Sequence, residues 1–175
     1  LHRIDAENKR PLHFEHLVMP GEAPRKQLAE KLIEHMPDKG SILAYNAAFE
    51  IKRIEELAGQ YPRYRSKLTA MIKRFRDPMS LFKERHIYFW RMQGSYSIKV
   101  VLPLMIPELR YEDLDIQDGT MAMDAWFSLS DISDRKKIAE IRESLLKYCE
   151  LDTYGLIRIL HRLQEISAVR QCSRN

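Results

Sequence analysis

Three side chains have the types and spacing for joint chemistry: Asp152, Tyr148 and Glu50. Asp152 lies in Ser144-Leu-Leu-Lys-Tyr148-Cys-Glu-Leu-Asp152-Thr-Tyr-Gly-Leu-Ile, where Leu145, Cys149, Leu156, Leu160 and Leu163 recur at helical spacing. That repeat puts a carboxylate inside an apolar stripe, which costs several kcal/mol unless a cation or hydrogen bonds compensate it. Tyr148 stands one turn earlier on nearly the same face, so the pair predicts a polar pocket, and a metal site is one way to stabilise it. Glu50 follows Tyr45-Asn46-Ala-Ala-Phe49, at a strand-to-helix junction of the kind where α/β folds build sites. It borders the inward stripe Ala47, Ile51, Ile54 and Ala58.

Each of the three has a structural reading as well. A glutamate in a first helical turn is favoured by the helix dipole, and Glu50 has Arg53 within pairing distance along the helix unless Glu55 draws that arginine away. Asp152 can be a buried acid held by an arginine such as Arg53 or by a helix N-terminus. Tyr148 can be a core-edge aromatic with its hydroxyl satisfied.

The elements that must position these residues follow from pattern. Residues 1–4 and 13–19 read as two strands joined through the polar turn 5–11. An amphipathic helix over 25–36 turns Leu28, Leu32 and Ile33 inward, and 41–45 reads as a short buried strand. Asn46 is placed to cap a helix over 47–58. Helices are expected over 61–75, 79–85, 98–105 (ended by Pro107), 119–127 and 135–166, the last as one or two helices. Asp113 to Asp118 and Ser130 to Asp134 read as loops. This order describes a single three-layer α/β or α+β domain over 1–169 with a tail at 170–175, and its sheet is small for so many helices.

The chain has 175 residues, 45% hydrophobic and 31% charged, with a net charge of +4, which is ordinary for a globular domain and only mildly basic. Two cysteines, Cys149 and Cys172, exclude a disulfide framework and show no zinc spacing, which points to a reducing, cytoplasmic setting. The longest apolar run, Val100 to Ile106, contains Pro103 and is too short to cross a membrane.

Taken in order, the acidic segments resemble a known family. Tyr148-Cys-Glu-Leu-Asp152 is similar to the Y-x-x-x-D third motif of DnaQ-like 3′–5′ exonucleases of the DEDDy type. Asn46-Ala-Ala-Phe49-Glu50 resembles their second motif, N-x-x-F-D, with Glu in place of Asp. Gly94-Ser-Tyr-Ser-Ile-Lys99-Val-Val-Leu-Pro103 and Asp118-Gly119 further resemble an uncharacterised bacterial family assigned to the ribonuclease-H-like superfamily. The likeness extends over roughly residues 1–163. It implies a ribonuclease-H-like three-layer fold and hydrolysis of nucleic acid from a single-stranded 3′ end with two Mg²⁺ or Mn²⁺ ions, for which hard oxygen donors are suited. It implies that Asp152 binds one metal, that Glu50 reaches a metal directly or through water, and that Tyr148 orients the attacking water. A free tyrosine pKa of about 10 argues against outright base action at neutral pH. Asn46, Phe49, Ser97 and Lys99 become candidates for contact with substrate.

One departure matters. The family's first motif, D-x-E on the first strand, has no strand-borne counterpart here, since Asp5-Ala6-Glu7 falls in the polar turn. The expectation is that D-x-E lies upstream of Leu1 and that this chain, with two of four acids, turns over little substrate and binds metal weakly. A catalytically inert module that binds nucleic acid or protein is the rival reading, and a helical accessory domain with accidental motif matches is a third.

Asp77 before Pro78 reads as a turn initiator. Ser95 or Ser97 is expected to cap the helix from Ile98, a place where phosphate also binds. The basic run Arg63 to Arg76 reads as a solvated helix face, and Tyr88, Phe89, Trp90 and Tyr96 as core rather than a base-stacking surface. The six histidines show no metal-ligand spacing, and His2, His13 and His16 read as ordinary strand residues.

Overall fold

The computed structural model describes residues 1–5, 8–20 and 24–172. The chain is mixed α/β and mostly helical. Strands β1 (His2–Asp5) and β2 (Asn8–His13) form an antiparallel hairpin with His2 opposite His13. Helix α1 (Pro24–His35) leads to β3 (Ile42–Leu43) and α2 (Ala48–Gln60). Helix α3 (Arg65–Ile72) precedes β4 (Phe75–Arg76), which pairs parallel to β3, and α4 (Met79–Lys83) follows. Helices α5 (Ile98–Met105), α6 (Gly119–Ser128) and the long α7 (Arg135–Cys172) complete the fold.

Several expectations are corrected by long-range contacts. The second strand of the hairpin covers 8–13, not 13–19. Segment 14–19 instead runs as an extended strap, because side chains take its carbonyls: Trp126 Nε1 donates to Val18 O at 2.7 Å, and Arg142 to Leu17 O at 3.4 Å. Phe75 leaves the helix expected over 61–75 and joins Arg76 in β4, since Ile42 N donates to Arg74 O and Ala44 N to Arg76 O. Leu28 is exposed while Ala29 fills the inward position of α1. Cys149 is exposed rather than part of the stripe, whereas Leu145 and Leu156 are buried. Helix α7 continues unbroken to Cys172, into the expected tail.

Three apolar clusters hold these elements. One joins Ile42, Ile54, Leu57, Leu68 and Met71 between α1, α2, α3 and the parallel strands. Another packs Phe82, Met92, Val101, Leu102, Tyr111 and Ile159, setting α5 against α7. The third joins Ile116, Leu129 and Leu145 under α6.

Gly155 sets the closeness of α5 and α7. A Cβ there would lie 2.7 Å from Leu102 Cδ2 and 3.1 Å from Cδ1, and because Leu102 is fully buried its shift must disturb the packing around it. Gly155→Ala is expected to destabilise the domain by about 1–3 kcal/mol despite the better helix propensity of alanine. Urea unfolding of the two proteins measures it, and a neutral result would mean that the α5–α7 packing is looser than described.

Candidate active site: a carboxylate and tyrosine pocket

Strands β3 and β4 run parallel, and their carboxyl ends place the first two acids. Asp77 follows β4 directly. Its carboxylate accepts from Asn46 N at 3.1 Å, Ala47 N at 3.0 Å and Met79 N at 2.9 Å. It therefore ties the ends of both strands to the start of α2. Asn46 does not act as the side-chain cap expected of it. It takes a left-handed conformation (φ 64°), which asparagine tolerates, and its backbone N–H turns to Asp77. Helix α2 thus starts under a carboxylate from another segment, which sets Glu50 in its first turn.

Glu50 is half-buried, and its Oε2 has no hydrogen-bond partner among the described residues. Burial pushes its carboxyl pKa up, and the charges of Asp77 and Asp152 push the same way against its own backbone N–H. The two acids singled out from sequence, about one hundred residues apart, therefore share one electrostatic neighbourhood. Arg53 does not neutralise Glu50. It pairs with Glu56 at 2.7 Å and lies over the Phe49 ring.

Asp152 is half-buried on α7 and accepts from Tyr111 Oη at 2.5 Å. Burial raises its pKa, while the hydroxyls of Tyr111 and Tyr148 and the charge of Lys99 oppose that rise. Tyr148 and Tyr111 stack obliquely, with ring centroids 6.0 Å apart. Burial and the Asp152 charge push the Tyr148 phenol up to about 12, so it is protonated and a donor at neutral pH. Gly119, at the start of α6, neighbours this hydroxyl, and a Cβ there would be in ordinary van der Waals contact with it at 4.0 Å. Asp118 caps α6 through Met121 N and sits 3.9 Å from Lys99 Nζ. Among the described residues, no arginine holds Asp152. Two phenols do, and a more distant lysine.

These residues can bind a hard cation in part. Glu50 offers an orphaned buried oxygen and Asp152 a carboxylate whose ionisation is resisted, both of which a cation would relieve. Asp77 contributes charge, but its oxygens are already spent on backbone N–H groups. Glu50, Asp77 and Asp152 do not form a three-ligand cluster. Among the described residues, the group of three acids or histidines with donor atoms within 4.8 Å of one another is His2, His13 and Glu150.

The remaining candidates are scattered around the pocket. Phe49 is 62% exposed, beside Glu50. Ser97 precedes α5, yet no side-chain cap bond forms. Lys99 faces Asp118 and Asp152. The aromatics expected in the core are largely outside it: Tyr88, Trp90 and Tyr96 are exposed, and Phe89 packs partly. Tyr45 Oη donates to Tyr96 O at 2.7 Å, which fixes that aromatic loop beside the end of β3. Arg65 and Arg74, within the basic run, bond to the Ala58 and Pro37 carbonyls. In the Asp5-Ala6-Glu7 triplet, Glu7 lies outside the described residues, as does the Asp5 side chain.

Sequence reasoning missed Tyr111 and the bridging role of Asp77. The available signal for Tyr111 was a tyrosine just after Leu109-Arg110, whose buried hydroxyl needs a partner. It also missed the two histidines, whose positions at the start of β1 and at the end of β2 make them opposite neighbours once the hairpin register is known.

The pocket belongs to a mixed α/β, mostly helical domain with acids at the carboxyl ends of parallel strands. Residues 1–97 match the family described as Domain of unknown function (DUF2779), and the chain belongs to that family. That match includes Glu50 and Asp77 and stops short of Tyr148 and Asp152. The chain is also 26% identical over 147 residues to the protein titled Uncharacterized protein MG366 homolog from Mycoplasma pneumoniae. That alignment covers 77% of this chain and 22% of the relative, so the chain spans about a fifth of the relative's length. No solved structure matches. Among the described residues, no helix is long and apolar enough to cross a membrane.

Proposed function

We propose that this chain is part of a metal-dependent 3′–5′ exonuclease-like domain of ribonuclease-H-like fold that acts on single-stranded nucleic acid. The observation that carries the reading is the convergence of Glu50 and Asp152, raised together in pKa, beside the protonated phenol of Tyr148. Glu50 and Asp152 would hold Mg²⁺ or Mn²⁺. The ions, when bound, supply Lewis-acid stabilisation of the phosphodiester and a more acidic water. Tyr148 donates a hydrogen bond and so orients what lies next to Asp152. Lys99 offers a cation to phosphate, and exposed Phe49 and Tyr96 offer ring faces to unpaired bases.

The arrangement of strands supports the same reading. β1 and β3 each keep one edge without a strand partner among the described residues. Between them lies a cleft of about 750 Å³ lined by Arg3, Ile4, Ile42, Leu43, Leu156 and Ile157. The cleft is wide enough for a further apolar strand between the two sheets. The inert binding module keeps one observation in its favour: Glu50, Asp77 and Asp152 alone do not close into a three-ligand cluster.

The test is nucleotide release from a 5′-labelled single strand by the protein extended ahead of Leu1, with Mn²⁺ or with EDTA. A ladder shortening from the 3′ end only with Mn²⁺ supports the nuclease. Retained strand binding without cleavage selects the inert module.

A further inference from the structure

On α7, Glu150 and Thr153 stand three residues apart, hence on one face, turned about 200° in helical phase from Glu150 to Asp152. Opposite them, His2 of β1 and His13 of β2 are direct cross-strand partners, with ring centroids 4.5 Å apart. His13 Nδ1 lies 3.2 Å from Glu150 Oε1, and His2 Nδ1 lies 2.7 Å from Thr153 Oγ1. One donor atom from each of His2, His13 and Glu150 lies within 4.8 Å of the others.

Thr153 Oγ1 also has the helix carbonyls of Cys149 and Glu150 to donate to, at 3.2 and 3.3 Å, which leaves it able to accept from a His2 protonated on Nδ1. In that tautomer His2 Nε2 carries the free lone pair. A threonine holding the far nitrogen is the support a metal-bound imidazole ordinarily has, because it fixes both tautomer and ring orientation. Glu15 Oε2, 3.7 Å from His13 Nε2, is a charged neighbour on the far side of the second ring without a direct hydrogen bond to it.

We propose that His2, His13 and Glu150 form a binding site for a borderline-soft divalent cation of the Zn²⁺ class, which staples the β1–β2 hairpin to α7. Two imidazoles and one carboxylate suit Zn²⁺ rather than Mg²⁺, with bonds of about 2.0–2.2 Å and water completing the shell. The ion takes the place between His13 Nδ1 and Glu150 Oε1, and the neutral ring keeps its one proton on Nε2, the nitrogen that faces Glu15. The site uses none of the pocket acids and stands apart from the nuclease reading.

The test is calorimetric titration of ZnCl₂ into the 175-residue chain carrying no polyhistidine tag. One saturable site is expected, together with a rise in Tm that grows with Zn²⁺ concentration. His13→Ala and Glu150→Gln each weaken binding by about tenfold or more, and Asp152→Asn leaves it unchanged. Glu150→Gln changes only an exposed helix position, so its circular dichroism is expected to match the parent. Absence of saturable Zn²⁺ binding overturns the site. So does binding that survives both substitutions, or binding abolished by Asp152→Asn.

Discussion

Asp152→Asn in the extended protein is expected to lower Mn²⁺-dependent 3′-nucleotide release by about 10²-fold or more. Loss of a residue that merely supports a metal ligand costs about 10–100-fold, and a direct ligand is expected to cost at least that. The fold should survive, because an asparagine Oδ1 still accepts from Tyr111. Asp152→Leu is different. It leaves the buried Tyr111 hydroxyl without its acceptor, at about 1–3 kcal/mol, on top of the lost activity. Comparing the two variants by turnover and by thermal melting separates a catalytic role from a structural one. Equal turnover in Asp152→Asn and the parent would remove Asp152 from the chemistry. Tyr148→Phe is expected to be milder, since a phenol protonated up to about pH 12 contributes a hydrogen bond rather than a base.

Glu50→Gln is expected to stabilise the chain at pH 7 while weakening metal-dependent activity. The folded state raises the Glu50 pKa above its ordinary 4.5. Below that ordinary value the carboxyl is protonated in both folded and unfolded chains, and no penalty exists. As pH rises through the folded pKa, the unfolded chain ionises more readily than the folded one, and stability is lost. A neutral glutamine does not ionise. Its advantage is therefore expected to be present at pH 7 and to vanish at about pH 4. The gain comes from removing a charge that burial resists, since the glutamine amide leaves the Oε2 position unpartnered but uncharged, and each kcal/mol raises Tm by about 2–4 °C for a chain of this length. Melting curves across pH 4–7 measure it. A Glu50→Gln protein less stable than its parent at pH 7 would show that Glu50 makes a compensating contact and is an ordinary helix-terminal acid. The parent's Asp152 adds to the same trend, because its carboxyl is raised as well.

The two expectations have opposite signs for activity and stability at one site. Carboxylates kept charged against their surroundings reduce stability and are retained where a cation uses them. This is the physical sense in which Glu50 and Asp152 look functional, and Asp77, with its oxygens committed to backbone, looks structural.

The amino-acid order determined the helices and the acids they carry. Repeats of three and four along 145–163 and 47–58 identify α7 and α2, and fix Tyr148 and Asp152 one turn apart, whatever surrounds them. Helices α1, α5 and α6 were legible for the same local reason. Tertiary structure alone decided what those side chains meet. Tyr111 reaches Asp152 across 41 residues, Asp77 reaches Asn46 across 31, and His2 reaches Thr153 across 151. The two-residue strand β4 and the strap 14–19 exist only because distant groups take their hydrogen bonds. Periodicity records how one helix or strand divides its own faces. It carries no record of which face another segment will cover, and that choice belongs to packing.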